Sequence, residues 1–103
     1  MDSLVYRLKA LADPVRLRIL DFLLEPVLSC CSREDGVCAC DLETFLGLSQ
    51  PTVSHHMKLL VQAELVTADK RGRWVYYALD RQTIETVTAR LARYIAPVAT
   101  AAD

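Results

Sequence analysis

The chain has no long hydrophobic run and no positively charged start. It opens Met1-Asp2-Ser3, and its longest apolar stretches are broken by Asp21, Glu25 and Pro26, so neither a secretory signal nor a membrane span of about 20 residues is expected. Internal repeats, low-complexity tracts and interdomain linkers are missing as well. There is no HExxH pair and no glycine-rich phosphate loop, which removes the commonest metalloprotease and nucleotide-binding signatures. These absences exclude membrane, collagen-like and disordered classes, and the expectation is a cytoplasmic protein that is not an enzyme. In that setting four cysteines stay reduced, and a ligand or redox role outranks a disulfide framework.

What is present is 103 residues, 52% of them hydrophobic, which sets a single domain, 1–103, burying roughly 60–70% of the surface its unfolded chain exposes. Both ends carry apolar helical stripes beyond what one small core covers, so an oligomer is expected. The net charge is −1, yet its distribution is uneven. Residues 1–49 hold five Lys/Arg against eight Asp/Glu, residues 50–79 hold four against two, and residues 80–103 hold three of each. An anionic partner is therefore met in the middle stretch.

Leu4, Leu8 and Leu11 mark a short amphipathic helix with Ser3 available as its cap. Asp13-Pro14 caps and starts a second, about Pro14 to Leu24, ending before Pro26. Residues 29–38 read as a polar loop. A third helix, about Asp41 to Leu46, is closed by Gly47, and Ser49 can cap a fourth, about Gln50 to Ala63. On that helix Val53, Met57, Leu60 and Val61 share the inward face, leaving Thr52, His55, Lys58 and Gln62 outward. Residues 65–69 and 73–79 form a hairpin around Lys70-Arg71-Gly72-Arg73. Asp80 caps a fifth helix to about Ile95, with a stripe of Ile84, Val87, Leu91, Tyr94 and Ile95 stopping before Pro97.

The order helix, helix, helix-turn-helix, basic hairpin, helix is that of a winged helix-turn-helix, mostly α within the α+β class, with an added helix at each end. In such a pair the second helix lies in a major groove, and an arginine-bearing hairpin reaches the neighbouring backbone or minor groove. Catalysis is disfavoured because a catalytic cysteine needs a nearby base, and both histidines, His55 and His56, sit on the helix assigned to DNA.

Three segments carry a resemblance: Leu11-Ala12-Asp13-Pro14-Val15-Arg16-Leu17-Arg18-Ile19-Leu20, then Cys38-Ala39-Cys40-Asp41-Leu42, then Leu48-Ser49-Gln50-Pro51-Thr52-Val53-Ser54-His55-His56-Met57-Lys58-Leu59-Leu60. Together with the Arg71-to-Tyr77 hairpin they resemble the ArsR/SmtB family of metal-sensing repressors over nearly the whole chain. The resemblance implies a homodimer whose terminal helices dimerise, which binds an imperfectly palindromic operator in double-stranded DNA as the apo form and leaves it on binding metal. Gln50, Thr52, Ser54, His55 and Lys58 match the family's recognition helix, and Arg71 and Arg73 its wing. His56 turns toward the helix flank, where a packing or capping role is expected. Glu64 stands where the family usually has glycine, at a left-handed position where a side chain costs on the order of 1 kcal/mol.

The thiols narrow the inducer. Cys38 and Cys40 match the pair that arsenic- and cadmium/lead-responsive members place at the start of the third helix, where a helix N-terminus stabilises thiolates and thiolates select soft ions. The common arsenic pattern would put its third cysteine at Glu43; here Cys30 and Cys31, in an apparent insertion, are the candidate replacements. Arsenite needs three sulfurs, and cadmium or lead could use all four. A loop of incidental or redox-paired thiols on a DNA-binding protein without metal sensing stays as the alternative. Adjacent cysteines and Cys-x-Cys do not supply zinc's usual spacing. From Arg81 to Pro97 there is one carboxylate, Glu85, and no histidine, which excludes a metal site on the last helix.

Overall fold

The computed structural model describes residues 3–26 and 36–96. It contains five helices and three short strands: α1 (Ser3–Leu11), α2 (Pro14–Leu24), β1 (Val37–Cys38), α3 (Ala39–Leu46), α4 (Gln50–Gln62), β2 (Val66–Arg71), β3 (Trp74–Leu79) and α5 (Arg81–Ala92). This is the expected winged helix-turn-helix with a helix added at each end.

Local chemistry sets most boundaries. The Asp13 carboxylate accepts from the Val15 and Arg16 amides at 2.8 and 3.2 Å, two of the donors a helix start leaves unpaired. Burial works against that charge, but these amides and the Arg16 guanidinium hold Asp13 below its ordinary 3.8. Asp80 caps α5 in the same way, accepting from the Thr83 amide at 3.1 Å. Gly47 closes α3 at φ 67°, a left-handed conformation that glycine adopts without a Cβ clash.

Several expectations need correction. Ser49 flanks α4, but its hydroxyl makes no bond to a helix amide; it pairs with the Thr52 hydroxyl at 3.0 Å, and Pro51 has already removed one donor from the first turn. Ser3 is the first residue of α1 and not a residue ahead of it. Helix α3 begins at Ala39, two residues before the expected Asp41, so Cys40 is helical and Cys38 is its N-cap. The end of the supposed polar loop, Val37-Cys38, is a strand. Helix α5 stops at Ala92 and not near Ile95, because the following amides fall back to i−3 carbonyls, Tyr94 to Leu91 and Ile95 to Ala92.

The sheet order is β1-β3-β2, antiparallel throughout, with Val37 opposite Tyr77 and Cys38 opposite Tyr76. Gly36 is what lets β1 approach: a Cβ there would lie 2.9 Å from the Tyr76 Cβ. The core gathers Ile19, Leu42, Val53, Met57, Leu60 and Leu65, all nearly inaccessible. Phe45 of α3 stacks on Phe22 of α2 at 4.4 Å between ring centres, with the Arg18 guanidinium 5.1 Å from the Phe45 centre. Helix α3 is thereby fixed between α2 and the helix that follows it. Leu17, Leu24, Leu91, Tyr94 and Ile95 remain exposed.

Candidate nucleic-acid interface and thiol site

Helix α4 divides as its periodicity dictates. Val53, Met57 and Leu60 are buried, and Gln50, Thr52, Ser54, His55 and Lys58 are exposed. The exposed set begins in the first turn, the part of a recognition helix that meets base edges.

His56 lies on the flank, half-buried, with its Nδ1 3.1 Å from Arg16 Nη1. Arg16 also donates through Nε to the Ala10 carbonyl at 2.6 Å and faces Asp13 at 3.8 Å. Burial lowers the pKa of His56; Asp13 opposes that shift, while Arg16 and His55 add to it. A neutral imidazole accepting from Arg16 thus ties α4 to α2. The flank position was legible in the sequence, but the partner, 40 residues away, was not.

At its other end α4 finishes in a left-handed residue. Glu64 has φ 62°, and the Glu64 and Leu65 amides return to the Val61 and Leu60 carbonyls at 2.9 and 3.1 Å, the paired bonds of a Schellman ending. Arg7 of α1 adds a bond to the Ala63 carbonyl at 3.2 Å and meets the Glu64 carboxylate at 3.3 Å. The strained conformation is therefore kept.

The hairpin turns on Gly72-Arg73, between the paired residues Arg71 and Trp74. Gly72 has φ 64°, as a tight two-residue hairpin with glycine first requires. Arg73 is exposed with its guanidinium 5.0 Å from the Trp74 ring centre. Arg71 is more restrained: it pairs with Asp69 at 2.8 Å and lies 5.0 Å from the Tyr76 ring centre. Both arginines project from the wing.

Cys38 and Cys40 come together at the junction of β1 and α3, with their sulfurs 3.2 Å apart. Cys38 is fully buried and Cys40 half-buried. Cys30 and Cys31 lie outside the described residues. Among the described residues no three His, Cys, Asp or Glu side chains converge to hold a metal ion. Beside Cys40 opens a cavity of about 320 Å³ whose walls come from α3, the start of α4 and the wing.

Residues 11–68 match a family model described as a helix-turn-helix domain. The arsenical resistance operon repressor of Staphylococcus xylosus is 45% identical over 84 residues, 82% of this chain and 72% of that protein. Among solved structures, one of an ArsR family transcriptional regulator superposes with a TM-score of 0.75 at 22% identity, covering 90% of this chain and 87% of that one. A homodimeric winged helix-turn-helix DNA-binding domain from Mycobacterium bovis gives a TM-score of 0.68 at 23% identity over 90% of this chain and 79% of that one. No helix among the described residues is long and apolar enough to cross a membrane.

Proposed function

The chain belongs to the ArsR family of arsenic-responsive, DNA-binding transcriptional repressors, and from that premise we propose that the apo homodimer occupies a palindromic operator and leaves it when arsenite binds its cysteine thiolates. The observation that carries this reading is the contact of Cys38 and Cys40, 3.2 Å apart at the head of α3. Two sulfurs already side by side suit a soft, thiophilic ion. Arsenite would take its third sulfur from Cys30 or Cys31; cadmium or lead would use all four.

The proposed DNA contacts are Gln50, Thr52, Ser54, His55 and Lys58 from α4 with Arg71 and Arg73 from the wing. The exposure of all of these but the half-buried Arg71 supports this, as does the chemistry of each: amide and hydroxyl groups for base edges, cations for phosphate. The homodimer rests on the uncovered apolar residues Leu91 of α5 and Tyr94 and Ile95 just beyond it, and on the homodimeric state of the Mycobacterium bovis domain. The chain is proposed to fold as one domain over 1–103.

The switch follows from connectivity. Cys38 belongs to β1, which is paired with the wing strand β3, and Cys40 to α3, which packs on α4. Drawing these sulfurs toward a third ligand displaces both DNA-reading elements from a spacing of about 34–36 Å between successive grooves. Reversing a 99:1 population requires about 10⁴-fold tighter binding to the released state, about 5.5 kcal/mol, which several thiolate bonds can supply.

Fluorescence anisotropy of a labelled duplex, selected from a random pool by the reduced apo protein, tests this. Release at stoichiometric arsenite, with cadmium and lead less effective, is expected. Release by cadmium or lead alone would reassign the inducer, and release by none would leave a DNA-binding protein without this sensor.

A further inference from the structure

The wing has two faces, and its register assigns each residue to one of them. Residues directly opposite one another share a face, while neighbours along a strand alternate. Val66 with Leu79, Ala68 with Tyr77 and Lys70 with Val75 therefore lie on one side; Thr67 with Ala78, Asp69 with Tyr76 and Arg71 with Trp74 lie on the other. Val66, Tyr77 and Leu79 pack against the core, so the first side looks toward the helices and carries the exposed Lys70 at its outer end. The second carries Arg71, whose contacts with Asp69 and Tyr76 stay on that side. The wing's cations thus do not all address the same space.

The helix-facing side of the wing is also a wall of the cavity of about 320 Å³. Val75 and Tyr77 line it from β3 and Arg73 from the turn, opposite Gln50, Val53 and Ser54 at the start of α4. This cleft lies between the element proposed for the major groove and the one proposed for the adjacent groove. A single sugar-phosphate strand separates two such grooves, so that strand has to pass between the two elements. We infer that the cleft seats this strand and that Lys70, which no motif singled out, is a further DNA contact that pairs with one of its phosphates. The inference rests on the DNA reading above and extends it. The mixed lining suits a sugar-phosphate segment: Gln50, Ser54 and Arg73 donate to phosphate oxygens, and Val53 and Val75 offer apolar surface to a deoxyribose. Glu43, the carboxylate among the described lining residues, belongs to α3 and repels phosphate from that wall, toward the wing and Lys70.

The test compares wild type with Lys70→Ala, both as reduced apo protein, on the selected duplex and on a random one, by fluorescence anisotropy across a salt series. Loss of one phosphate contact should weaken both duplexes by similar factors and lower the salt slope by about one unit, with Lys70→Arg restoring it. The phosphate is then located with selected duplexes in which single phosphates are replaced by uncharged methylphosphonates. One position on the strand between the two grooves should weaken wild type and Arg71→Ala but leave Lys70→Ala unaffected, because a contact already lost is not lost twice. An unchanged salt slope in Lys70→Ala overturns the inference while leaving the DNA reading in place. So does a Lys70→Ala protein that every neutral phosphate weakens as much as wild type, or insensitivity at that position found in Arg71→Ala instead. Failure of wild type to bind any duplex overturns the inference and the DNA reading together.

Discussion

Glu64 and His56 show how single side chains hold the recognition helix at its end and on its flank. Glu64 occupies a left-handed conformation at φ 62°, which costs an L-residue energy that glycine avoids. Its contact with Arg7 is exposed on the carboxylate side and so contributes little. Glu64→Gly is expected to raise unfolding free energy by about 0.5–1 kcal/mol in urea titration, and Glu64→Ala to leave it nearly unchanged. His56 acts through protonation. Its folded pKa lies below the ordinary 6.5 because burial disfavours the charged ring, with Arg16 and His55 adding to that against Asp13. Below 6.5 the unfolded chain therefore binds more protons than the folded one, and stability falls as pH drops through that window; Asp13, held under its ordinary 3.8, titrates lower still. Comparing urea midpoints at about pH 7.5 and about pH 5.5 should show a loss in wild type that is smaller in His56→Gln. Equal losses in both proteins would mean that His56 stays solvated and unpaired.

Among the elements, the wing and β1 carry the argument. If Arg71 and Arg73 meet phosphate, replacing both with Ala should weaken binding to the selected duplex and lower the salt slope by about one to two units. An unchanged slope would remove the wing from the interface. The helices and the hairpin could be read from the chain because their signals are local: Asp13-Pro14, Gly47, Asp80, and Val53, Met57 and Leu60 at helical spacing. The early start of α3 and the strand β1 could not. Two residues show no alternation, and Val37-Cys38 is a strand only because Tyr76 and Tyr77, distant in sequence, pair with it. The same limit applied to the site. The family resemblance named the thiol pair, but the cavity beside it depends on the wing folding back over α3. Arg71 read as an open cation, whereas its ion pair with Asp69 appears only once β2 is formed.

For the whole molecule, the apolar surface left at the end of α5 and in the turn after it suits a second copy. Leu91, Tyr94 and Ile95 are exposed, the last at 85%, and a C₂ dimer would bury them against their own equivalents. Leu91→Glu combined with Ile95→Glu should convert a dimer to monomer in sedimentation equilibrium and weaken operator binding, with the helical content retained. In the proposed dimer the two α4 helices must keep one fixed separation to occupy successive grooves, so a shift in either half would be felt by the whole complex. The central claim is that the thiols at the head of α3 receive the signal. Its most direct measurement is arsenite titration of the operator complex formed by a variant carrying both Cys38→Ser and Cys40→Ser, under reducing conditions and beside wild type. The account predicts that the variant binds the duplex as tightly as wild type and stays bound at arsenite concentrations that release the wild-type dimer; release of the variant at those same concentrations would contradict it.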